Sequence, residues 1–90
     1  MNKLEEARLI IDTEDEIIRE AFIKRMNAVK EVIAYKKANG LPILDANREK
    51  IIIDKAMNRI DDPNMKKYYE ALIKEIMKIS KDYQKELLDE

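Results

Sequence analysis

Arg8, Arg25 and Lys36 are cations placed where a helical protein ordinarily puts apolar side chains. Stepping by alternating four and three residues from Leu4 traces one helix face: Leu4, Arg8, Ile11, Asp15, Ile18, Phe22, Arg25, Val29, Val32 and Lys36. Most of that face is apolar, as a bundle seam requires. Arg25 has Ala21, Phe22, Ala28 and Val29 three and four residues away, and Lys36 has Val32, Ile33, Asn39 and Gly40. Neither has an acid beside it on its own helix. Any one such cation alone would more often reach solvent or pair with an acid on another helix. A set of them on one buried seam calls for a counter-ion, because an unpaired buried charge is costly. A later seam, Ile73, Met77, Ser80, Gln84 and Leu87, sets two neutral hydrogen-bonding groups among apolar ones, which singly would read as interface residues. Glu49, on the side of Ile53 and Ile60, adds a carboxylate, with Asp45 and Arg48 nearby. Together these groups describe a small polar pocket in an apolar interior, suited to an anionic, hydroxylated ligand.

The elements that must position them are few. Asn39-Gly40-Leu41-Pro42 is one break, with Gly40 suited to a left-handed helix end and Pro42 to stopping the helix. Asp61-Asp62-Pro63 is the other, with Asp62 as a cap and Pro63 in a first turn. Asn2 with Glu5 resembles a capping box, and Asp45 is a plausible cap. The expectation is an all-α chain of one long helix near 3–38, a short one near 46–60 and a third near 63–88. These form one domain over 1–90, without repeats or low-complexity stretches.

The long helix sets the assembly. About 36 residues at ~1.5 Å each make a rod of roughly 54 Å. A compact chain of this length is only about 30 Å wide. Its two shorter helices cannot cover the rod's apolar stripe, so a two-fold dimer is expected. Arg8 and Arg25 lie roughly 25 Å apart along the rod, too far to hold one small molecule. If two such helices pair antiparallel about residue 19 or 20, Arg8 falls opposite about residue 31 of the other chain, between Arg25 and Lys36. A site shared across the dimer follows.

Composition narrows the alternatives. Ninety residues carry 18 Lys and Arg against 19 Asp and Glu, intermixed, for a formal net charge of −1. That leaves no basic face for nucleic acid. No Cys and no His are present, which excludes disulfides, thiolate metal sites and the commonest general base. No apolar run approaches the roughly 18 residues of a membrane span, and no signal-peptide pattern opens the chain, so a cytoplasmic location is expected.

With those residues in view, the sequence resembles the all-helical chorismate mutases from about Leu4 to Gln84. The resemblance is carried by Leu4-Glu5-Glu6-Ala7-Arg8 followed by Ile11-Asp12 and Asp15, by Lys24-Arg25-Met26, and by Tyr35-Lys36-Lys37. Gly40-Leu41-Pro42-Ile43 running into Asp45 and Arg48-Glu49, then Ser80 with Gln84, complete it. Ala7 and Ala21 stand where larger aliphatics are usual, and Asn47 where an acid is frequent. The resemblance implies a six-helix homodimer of interlocked three-helix subunits. It also implies an isomerase that rearranges chorismate to prephenate, in the shikimate route to phenylalanine and tyrosine, without metal or cofactor. By position, Arg25 and the other subunit's Arg8 would clamp the substrate carboxylates. Lys36 and Gln84 would donate to the ether oxygen, Glu49 with Asp45 would hold the ring hydroxyl, Ser80 would help bind a carboxylate, and Arg48 would support them. Two other readings stand beside this one: an isochorismate-pyruvate lyase, whose fold and pocket are similar, and a non-catalytic helical dimerisation module whose polar seam residues set register.

Overall fold

A computed structural model describes residues 1–88 as three helices: α1, Lys3–Ala38, α2, Ala46–Asn58, and α3, Pro63–Leu88. Among the described residues there is no strand, and no helix is long and apolar enough to cross a membrane.

Helix α1 runs unbroken for 36 residues because nothing between its ends interrupts it. The Asn2 side chain accepts from the Glu5 backbone N–H at 2.8 Å, and the Asn2 amide donates to the Glu5 carboxylate at 3.2 Å. The cap therefore closes side chain to side chain, a variant of the expected box. Glu5 and Glu6 at the start, with Lys36 and Lys37 at the end, complement the helix dipole. The far end closes where Asn39 caps the helix and Gly40 takes φ +63°. Leu41 N–H then reaches back to the Lys36 carbonyl at 2.9 Å, the six-to-one bond of a Schellman-type stop.

Asp45 caps α2 by accepting from Arg48 N–H at 3.0 Å. Asp62 caps α3 through its side chain to Asn64 N–H at 2.8 Å, with Pro63 as the first helical residue. The second helix ends earlier than expected, at Asn58 rather than residue 60. Arg59 N–H bonds Ala56, three residues back, so the last turn tightens. Ile60, whose apolar character suggested that the helix continues, belongs instead to the connection that brings Asp62 into place.

Helix α3 packs against both other helices, while α1 and α2 face each other only across a cavity. The core of one chain is thin. Val29, Ile33, Ala56 and Met77 are its buried apolar residues among those described, joined by Ser80 and Gln84. On the first two-thirds of α1 the seam is bare: Leu4, Ile11, Ile18 and Phe22 are 57%, 55%, 64% and 50% exposed. The chain extends 55 × 28 × 15 Å with a radius of gyration of 16.5 Å. A compact chain of this length would have a radius of about 12 Å. The N-terminal part of α1 thus carries an apolar stripe that the rest of the chain leaves uncovered.

Candidate active site

The cavity lies where the C-terminal half of α1, the start of α2 and the C-terminal half of α3 meet, and its volume is about 270 Å³. That is near the small end of ligand-site volumes. Each helix contributes polar groups from its expected face. From α1 come Arg25 and Lys36, one on each side of an apolar strip formed by Ala28, Val29 and Val32. From α3 come Ser80 and Gln84, both buried beside Met77. Arg48 and Glu49 arrive from the first turn of α2, with Asp45 just before it.

The cations are held by neutral acceptors. Arg25 donates through Nη1 to Ser80 Oγ, and Ser80 in turn donates to the Ile76 carbonyl at 2.9 Å. Serine four residues along a helix from its acceptor commonly makes this back-bond. Here it fixes the hydroxyl that Arg25 meets. Lys36 Nζ donates to the Ile43 carbonyl at 2.8 Å and to Gln84 Oε1 at 3.5 Å. Its backbone carbonyl is already committed to Leu41, so the loop after α1 grips Lys36 at both ends. A Gln84 amide that accepts from Lys36 keeps its NH₂ as a donor edge. Burial first, and the neighbouring Arg48 guanidinium second, push the Arg25 pKa below its usual value. Arginine remains charged at neutral pH regardless.

Glu49 forms an ion pair with Lys81 across α2 and α3, Nζ to Oε1 at 2.8 Å. Lys81 lines the cavity and escaped the sequence reading. The signal was present: it lies four residues after Met77 and three before Gln84, one step off the seam. The Ile43 carbonyl could not be foreseen, because a backbone acceptor carries no residue-type signature. Ile52, rather than Ile53, is the α2 aliphatic that lines the cavity beside Glu49.

Seven of the eight residues singled out from sequence therefore line one cavity: Arg25, Lys36, Asp45, Arg48, Glu49, Ser80 and Gln84. Arg8 does not. It is exposed on the bare part of α1, roughly 25 Å along the helix from Arg25. The cavity's four cations, Arg25, Lys36, Arg48 and Lys81, face two carboxylates, Asp45 and Glu49, a surplus of two positive charges. Asp45 is partly engaged as a helix cap and Glu49 by Lys81, so the unmet charge lies on the guanidinium and ammonium groups. A ligand with two carboxylates would balance it.

No curated protein and no solved structure matches the chain. A family model described as chorismate mutase type II matches residues 7–85, from just before Arg8 to just beyond Gln84. The chain, three helices around a polar cavity, belongs to the type II chorismate mutase family.

Proposed function

We propose that this protein is a chorismate mutase that works as a homodimer, each cavity being completed by Arg8 of the other subunit. The observation that carries the reading is the cavity's surplus of two positive charges, set among preorganised donors and without His or Cys. The rearrangement of chorismate to prephenate is unimolecular and pericyclic. It needs no nucleophile, no general base and no exchange of groups with solvent. Two tasks remain for the protein: to hold the dicarboxylate folded with its reacting carbons in contact, and to stabilise negative charge on the ether oxygen as the C–O bond breaks.

Arg25, oriented by Ser80, suits one substrate carboxylate, and bidentate guanidinium–carboxylate bonding fixes direction as well as position. Lys36 and Gln84, which touch each other, are suited to the ether oxygen. Glu49 has one oxygen on Lys81, which leaves the other to accept from the ring hydroxyl, with Asp45 alongside. Arg48 adds positive potential beside Arg25.

The family resemblance gives the second carboxylate to Arg8, and the bare stretch of α1 offers a way to bring it to the cavity. Antiparallel pairing of two α1 helices about residue 19 or 20 would cover Ile11, Ile18 and Phe22. It would also carry Arg8 to the level of residue 31 of the other chain, between Arg25 and Lys36. Ile18 then lies close to the two-fold axis, where one substitution acts twice. Ile18→Asp would set two carboxylates against each other in an apolar seam, and sedimentation should show loss of the dimer with a marked fall in Tm. An Ile18→Asp protein that stays dimeric with the parent Tm would contradict the pairing.

The reaction itself is tested by offering chorismate and isochorismate separately and identifying the products by NMR. Prephenate from chorismate, with little pyruvate released from isochorismate, is expected. Efficient pyruvate release without prephenate would instead mark an isochorismate-pyruvate lyase. No conversion of either by a folded dimer would leave a non-catalytic helical module.

A further inference from the structure

Lys81 belongs to none of the roles above, yet it is the only ion-pair partner of a cavity carboxylate among the described residues. The other described salt bridges join residues three or four apart on one helix, with side chains 40–67% exposed. Pairs of that kind contribute little to stability. The Lys81–Glu49 pair differs. It links two helices, its side chains are 35% and 28% exposed, and both line the cavity.

The position of the pair matters because of its surroundings. Arg25 and Arg48 line the same cavity as Glu49, and each offers a guanidinium that prefers a carboxylate. A Glu49 side chain released from Lys81 would have other cations of the same cavity to pair with, among them Arg25, which already holds Ser80. Glu49 on Arg25 would occupy the guanidinium that a ligand carboxylate needs. Lys81 approaches from α3 and takes one Glu49 oxygen at 2.8 Å, and among the described ion pairs neither arginine pairs with Glu49.

We infer that Lys81 is a positioning residue: by holding Glu49 it keeps Arg25, with Arg48 beside it, open for a ligand carboxylate and presents the free Glu49 oxygen to the ligand's hydroxyl. The inference rests on the dicarboxylate-site reading above. It explains why a carboxylate can sit in a cavity built for an anion without blocking it. It also makes a prediction about Glu49: the harm done by removing Lys81 comes through Glu49, not through the loss of one positive charge from the cavity.

The test is a double-mutant cycle on the full chain, with parent, Lys81→Met, Glu49→Gln and the double variant. Two quantities are read: Kd for prephenate by calorimetry and steady-state kinetics with chorismate. Lys81→Met should raise Kd and KM about tenfold or more, the size of a lost charge-assisted contact, while kcat stays within about threefold. In the Glu49→Gln background the same substitution should change Kd by less than about twofold, since a neutral amide does not compete for arginine. Lys81→Arg should restore the parent values.

An equal rise in Kd in both backgrounds would overturn the inference in favour of simple charge. A lowered Tm with unchanged Kd and KM would overturn it in favour of a helix-to-helix staple. The two readings fail separately. A parent that binds prephenate with this pattern but does not convert chorismate would refute the catalytic reading and keep Lys81's role. A parent that converts chorismate but shows additive Kd changes would do the reverse. A parent that neither binds nor converts would remove both.

Discussion

Lys36→Ala is expected to lower kcat for chorismate rearrangement by about 10²–10³, the usual effect of deleting one preorganised donor at a developing oxyanion, or about 2.7–4 kcal/mol of barrier. The size follows from how Lys36 is held. Its ammonium is fixed by the Ile43 carbonyl and Gln84 Oε1, and its backbone carbonyl by Leu41 N–H. On the proposed reading, the donor stands in place before charge appears on the ether oxygen, and little reorganisation accompanies the reaction. An interaction made mainly in the transition state should reduce kcat and kcat/KM together and leave KM near its parent value. Stability should change little, because the Ile43 carbonyl lies in a loop that water can reach. Stopped assays with circular dichroism melts on the same preparation check both halves. A Lys36→Ala enzyme within a few-fold of the parent would remove Lys36 from the reaction.

Mixing two inactive proteins is expected to produce an active one. On the proposed pairing, Arg8→Ala leaves a cavity with its own Arg25 and Lys36 but without the second clamp. Lys36→Ala leaves the opposite lesion. If Arg8 serves the other subunit, a mixed dimer has one site carrying both lesions and one site intact. Random exchange of subunits makes about half the dimers mixed, so about a quarter of all sites should be restored. Each protein alone should be down by about 10² or more. Activity that rises towards a quarter of the parent value after exchange would establish the shared site. No rise, with mixed dimers shown to form, would place Arg8 outside the cavity's chemistry.

The balance between what the sequence declared and what it hid follows from physical causes. Helix ends were legible where a residue type has one dominant use. Gly40 takes the left-handed conformation at the end of α1, Asp45 and Asp62 accept from backbone N–H groups, and Pro63 occupies a first turn. The end of α2 was not legible, because Ile60 continues an apolar period while the tightening at Arg59 is set by the need to reach Asp62.

Arg25, Lys36, Ser80 and Gln84 were legible as a group because polar residues on a seam of period three and four must face one another when the seams pack. The structure pairs them as Arg25 with Ser80 and Lys36 with Gln84. Lys81 was missed because a lysine one step off a seam is usually a solvated residue, and only the approach of α2 turns it inward. The place of Arg8 could be argued from length alone. The chain leaves it exposed on a bare helix, and the role proposed for it requires a second copy.

The central claim is that the cavity between the helices rearranges chorismate. The most direct measurement is the loss of chorismate absorbance with purified protein, beside an Arg25→Ala control shown to be folded and dimeric. Saturable turnover in the parent, falling about 10²-fold or more in the control, is the predicted result. A folded parent dimer that leaves chorismate at its spontaneous rate, or turnover that survives Arg25→Ala unchanged, would contradict it.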